Sequence, residues 1–134
     1  MTPEEKIQAG YKKKSMALFY HNGEIWFEHL DSLGPRKDYV IDKFKQDLAM
    51  LKRPSGSAYI GINLDETEVD EEILSLILYT LRDLDKVFRK VVFVGLDKAC
   101  KKILRNLEKT SQIPIPFALI CIDDFEKAKE WLIP

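Results

Sequence analysis

Three short apolar runs, "AYIGINL", "KVVFVGL" and "PFALICI", constrain this chain more than any other feature. Each is too short for a core helix. None alternates with polar residues as a strand with one wet face would. They read as strands over 58–64, 90–95 and 116–121, buried on both faces. Segments of helical periodicity lie between them, and that alternation is the signature of βαβ units and a parallel sheet.

Upstream, "MALFYHNGEIWFEHL" holds Asn22-Gly23 between two apolar-rich runs. Asn-Gly accepts the positive φ that both central positions of a tight hairpin turn require, so the spacing predicts antiparallel strands near 15–20 and 25–30. Pro35 then suits the first turn of a helix, where its missing N–H leaves no partner wanting. Val40, Ile41, Phe44, Leu48 and Leu51 recur at helical spacing as far as "RPSGS", whose Pro54 and Gly56 end the helix. Further helices are expected over about 70–86, 97–109 and 124–132. The element order is ββαβαβαβα, an opening hairpin followed by right-handed crossovers. No linker divides residues 1–134, which form a single domain. Residues 1–14 are read as a loose arm or a short extra helix.

Composition limits what such a domain does. Hydrophobic residues make up 46% of 134, enough for one packed core. Lys+Arg number 21 against Asp+Glu 22, a net charge of -1, which gives no reason to expect nucleic acid. The polar N-terminus, "MTPEEKIQAGYKKK", does not read as a signal peptide, and no apolar run nears the ~20 residues that cross a bilayer. Cys100 and Cys121 sit among apolar neighbours and read as small buried hydrophobes. The expectation is a cytoplasmic protein without an integral membrane segment.

The stretch "YIGINLDETEVDEEILSLIL" passes from a strand through a knot of acids into an apolar helix. Asp70 is placed to cap that helix, with Glu71 and Glu72 in the first turn, where the N-terminal dipole favours negative charge. Ile73, Ile77, Leu81 and Leu84 make one apolar stripe. Leu76 and Val87 widen it on one side, Leu74 and Leu78 on the other, to an arc of about 200°, where one core face needs roughly 100°. Either neighbouring helices cover the extra width, or Leu74 and Leu78 form an exposed flank, and the exposed flank is the expectation.

This element order resembles the STAS domain, the family of bacterial anti-sigma-factor antagonists and of sulfate-transporter cytoplasmic domains. The acidic strand–loop–helix stretch, the following "KVVFVGLDKACKKILRNL" and the closing "DDFEKAKEWL" carry the resemblance, which covers about residues 15–133 at the level of element order. It implies a STAS-like mixed sheet and a regulatory role through protein–protein interaction. The implied partner is a protein such as an anti-sigma-like kinase or regulator, docking at Asp70, Glu71, Glu72, Leu74 and Leu78. Signalling members carry a phosphorylatable Ser or Thr after the Asp. Here that position is Glu71, which cannot be phosphorylated and carries less charge than phosphoserine. The neighbouring hydroxyls, Thr67 and Ser75, do not occupy the motif position.

Other constellations support less. Asp65, Asp97 and Asp123 stand at the C-terminal ends of the expected parallel strands, where open α/β sheets bind ligands. A small metal-dependent or phosphoryl-transfer enzyme would use such carboxylates. Yet Asp97 also suits an N-cap, and Asp123 with Glu126 resembles a capping box. No Gly-rich phosphate loop or zinc pattern is present, and His21 and His29 have no spaced nucleophile. On the helix over 97–109, Lys98, Lys101, Lys102, Arg105 and Lys109 oppose the apolar Ala99, Cys100, Ile103, Leu104 and Leu107. That is a solvated face, or a strip for an acidic partner or anionic membrane. The reading is a non-enzymatic interaction domain without cofactor or metal. The alternatives are the small enzyme and a small-molecule or lipid-binding module, and homo-oligomer formation stays open.

Overall fold

A computed structural model describes residues 1–53, 56–84, 86 and 88–134. Pro54 and Val87, which the sequence places at a helix end and on the apolar arc, lie outside the described residues. In chain order the elements are α1 (Pro3–Lys12), β1 (Met16–Tyr20), β2 (Gly23–His29), α2 (Lys37–Leu51), β3 (Tyr59–Asn63), α3 (Glu71–Asp83), β4 (Lys90–Val94), α4 (Lys98–Thr110), β5 (Ala118–Cys121) and α5 (Phe125–Leu132). The five strands form one mixed sheet in sequential order, β1-β2-β3-β4-β5. β1 pairs antiparallel with β2, and every later pairing is parallel. The chain is thus α/β, with a hairpin opening a run of βαβ crossovers.

Sequential crossovers of one hand put α2, α3 and α4 on one face of the sheet. The larger core lies there: Trp26, Ile60, Ile62, Val91 and Phe93 from the strands, with Leu30 just past β2, meet Val40, Phe44, Ile73, Ile77 and Leu104 from the helices. The strand residues of opposite parity, Ile25, Phe27, Val92 and Val94, meet α5 through Ala128 and Leu132. Strands buried on both faces explain why the sequence shows apolar runs instead of alternation. No helix of the described residues is long and apolar enough to cross a membrane.

Local chemistry selects the second of two expected alternatives at the N-terminus and departs from expectation in two other places. Residues 3–12 are helical: Thr2 accepts from the Glu5 N–H at 3.1 Å, Pro3 opens the helix, and Glu4 and Glu5 face its positive end. α1 docks on α2, its Tyr11 ring 4.4 Å from that of Tyr39 and Gln8 bonded to the Tyr39 hydroxyl at 2.8 Å. α2 begins later than Pro35 predicts, with Arg36 at its cap. The hairpin turn is centred on His21-Asn22, not Asn22-Gly23: their φ values are 49° and 66°, and Gly23 already pairs with Tyr20. Gly23 is needed for space, because a Cβ there would lie 2.4 Å from the Ile133 side chain.

Candidate functional site

Three loops meet at the C-terminal edge of the sheet: 30–36 after β2, 64–70 after β3 and 95–97 after β4. They are tied backbone to backbone. The Ser32 N–H donates to the Asp65 carbonyl at 2.8 Å, the Gly34 N–H to Glu66 at 3.1 Å, and the Glu68 N–H to Gly34 at 2.9 Å. Thr67 fastens the centre. Its hydroxyl donates to the Leu30 carbonyl at 2.6 Å and accepts from the Leu33 N–H at 3.1 Å. Gly95, at φ 88°, lets the third loop press against the second, where a Cβ would come 2.6 Å from the Asp65 nitrogen.

Two non-glycine residues at this edge, Ser32 and Glu66, hold positive φ, at 61° and 55°. Such conformations cost free energy and persist where the surroundings over-determine them, often at functional sites. Between the loops lies an open trough of about 540 Å³ whose walls include Glu66, Thr67, Glu68, Gly95 and Asp97, with Cys100 below. Cys100 donates its thiol to the Val69 carbonyl at 3.4 Å. Burial, then the nearby Asp97, push that thiol up to about 11, so it is not a thiolate nucleophile at neutral pH.

Each expected site residue has a definite place. Asp70 caps α3, accepting from the Ile73 N–H at 2.9 Å. Lys37 of α2 reaches across to Asp70 at 2.7 Å and to Glu72 at 2.6 Å. The Lys37 ammonium and the Ile73 N–H hold the Asp70 carboxyl below the usual carboxylate range. Glu71 and Glu72 are exposed. Leu74 and Leu78 are not: both are 0% exposed, and the expected exposed flank is core. α3 is the middle helix of its layer, with α2 on one side and α4 on the other, and the flank that holds Leu74 and Leu78 is covered. What α3 does present to solvent is Glu71, Glu72 and Asp83, with Ser75, Leu76 and Tyr79 half-buried between them.

The strand-end carboxylates separate into different tasks. Asp97 caps α4 through the Cys100 N–H at 2.8 Å. α5 is capped by Asp124, which accepts from Glu126 and Lys127, instead of by Asp123. Asp123 instead pairs with Lys101 at 2.8 Å. Among the described residues, no group of three His, Cys, Asp or Glu is placed to hold a metal ion. On α4, Lys98, Lys102, Arg105 and Lys109 are exposed, and the apolar arc is buried at Cys100, Leu104 and Leu107, while Ala99 is exposed.

A second polar cluster went unflagged by the sequence reading. Glu28 of β2 is 0% exposed and Lys43 of α2 is 5% exposed. The Trp26 indole donates to Glu28 Oε1 at 2.9 Å, while Glu28 Oε2 has no hydrogen-bond partner among the described residues. Lys43 donates to the His29 carbonyl and, at 3.2 Å, to Ser15 Oγ. It also lies 3.6 Å from Asp47, to which Ser15 donates at 2.8 Å. Burial, then the neighbouring Asp47, push the Glu28 carboxyl up to about 9. One signal was available: Glu28 shares strand parity with Trp26 and Leu30, which points it into the core.

No family model matches the chain, no curated protein matches it, and no solved structure matches it.

Proposed function

We propose that this chain is a non-catalytic, cytoplasmic regulatory domain of STAS type that binds a protein partner at the C-terminal edge of its sheet. The observation that carries the reading is the Thr67-fastened loop set. It holds Ser32 and Glu66 in costly conformations and presents an acidic, open surface running from Glu68 to Glu71 and Glu72. A rigid, shallow, charged surface fits a protein partner with basic groups better than it fits an enclosed small molecule. The resemblance in element order, with an acidic turn opening the helix after the second parallel crossover strand, supports the same location. The exposed flank comprises the acids, with Leu76 half-buried beside them, in place of Leu74 and Leu78. With Glu71 at the position of the phosphorylatable residue, binding is constitutive there. The Cys100 thiol is kept protonated, and Asp70 and Asp97 are committed to capping.

The test is affinity capture with the wild type and the double variant Glu68→Lys/Glu71→Lys, beside thermal melts of both. Both side chains are exposed and, among the described residues, neither makes an ion pair, so the variant should fold and melt only slightly below the wild type, the small loss coming from a cation at the start of α3. The expected result is loss of a partner that the wild type retains. A folded variant that keeps every partner overturns the assignment of this edge.

A further inference from the structure

We propose that the free edge of β1 is an isologous homodimer interface, with a second copy of this chain adding its own β1 antiparallel about Leu18. β1 is the outer strand of the sheet, and residues 16–20, "MALFY", contain no charge and no proline to guard the edge. Phe19 is 82% exposed and Met16 52%.

The register follows from the hairpin. Tyr20 and Gly23 close a two-residue turn, so Tyr20, Leu18 and Met16 direct their backbone groups toward β2. Ala17 and Phe19 direct theirs outward. An antiparallel copy centred on Leu18 sets Ala17 against the other copy's Phe19, and that pair can exchange both of its hydrogen bonds. No other residues of the strand need to move to satisfy the edge.

Side-chain shape fits the same register. Ala17 pairs with Trp26, so Ala17 and Phe19 project on the helix-bearing face. There a cleft of about 500 Å³ opens between β1 and α2, its apolar walls Ala17, Trp26 and Met50 rimmed by the Lys12–Lys14 tract and Arg53. The exposed Phe19 of one copy, opposite Ala17 of the other, stands over that cleft. The two-fold repeats the fit, so knob and hollow are each used twice. Charge agrees as well. Lys12 and Lys14, preceding β1 on the cleft side, run past the other copy's hairpin end, where Glu24 lies on the same face, while Lys13 pairs with Asp31 of its own copy.

Two measurements on the full chain test this. Sedimentation velocity over a concentration series should show a monomer–dimer equilibrium. Phe19→Asp, at an exposed position, should fold normally and weaken association about tenfold or more, since it places a charge in a contact buried twice. Oxidative cross-linking reads the register independently. Leu18 would face its own copy in a non-hydrogen-bonded pair, with Cα atoms about 4.5 Å apart, inside the disulfide range of roughly 4.4–6.8 Å. Leu18→Cys should therefore form a covalent dimer. Met16→Cys is the more exposed thiol, but it lies four residues out of register from its copy, roughly 13 Å along the strand, and should stay reduced. The wild type reports any background from Cys121. A wild type that stays monomeric at every concentration overturns the proposal. So does a Met16→Cys variant that cross-links as fast as Leu18→Cys, or open-ended growth, which would mean β1 pairing with the β5 edge.

Discussion

Two lysines of α2, six residues apart, meet the same kinds of partner in opposite surroundings. Lys37, at the start of the helix, bridges Asp70 and Glu72 on the surface. Lys43 lies beneath β1 and β2 with Asp47, Ser15 and the His29 carbonyl, and its charge reaches the buried Glu28. Water screens the first group, so its ions contribute little to stability and stay available to a partner. In the second, Glu28 and Lys43 are cut off from water while Asp47 keeps partial access, so screening is much weaker and each member depends on the others. One helix therefore carries both a recognition surface and a polar lock on the hairpin.

Lys43→Ala tests that contrast most severely. It would leave Asp47 and the His29 carbonyl without their cation in a desolvated site, and a loss of about 3–5 kcal/mol is expected from urea unfolding. A loss below about 1 kcal/mol, the value of a surface pair, would erase the distinction between the two clusters.

Glu28 gives a pH signature of known sign. Its folded-state value, about 9, exceeds its ordinary 4.5, so between those limits the folded protein binds a proton that the unfolded chain has lost. Stability should therefore fall as pH rises from 4.5 toward about 9. Glu28→Gln, neutral throughout, should flatten that decline and raise the melting temperature on the alkaline side. Melts of both proteins across the interval decide it, and parallel curves would show that Glu28 is ionised in the fold. Asp70 works in the opposite sense. Its lowered value contributes stability above the ordinary aspartate range, and that contribution is lost as pH falls through its folded-state value.

Lys37→Ala should have the smallest effect, a melt hardly changed from wild type, with any difference vanishing at high salt. A large, salt-resistant loss would mean that the Asp70–Glu72 surface is part of the lock and not a free recognition site.

Sequence alone determined the features that local physics settles. Asp70 and Asp97 cap their helices because a cap needs only the N–H groups of the next turn. The three apolar runs became parallel strands because nothing else buries both sides of so short a segment. Even α1 announces itself in Thr2-Pro3-Glu4-Glu5, a start signal that its polar composition masked. Tertiary structure decided the rest, wherever the deciding neighbour is distant in the chain. Periodicity shows which residues of α3 share an arc, but only the placement of α2 and α4 on either side buries Leu74 and Leu78. The turn moved to His21-Asn22 with Gly23 packed against Ile133 from the far end of the chain. Glu28 and Asp47 come from a strand and a helix that meet only on folding, and desolvation, which no local pattern records, raises the Glu28 carboxyl far above the range of an ordinary acid.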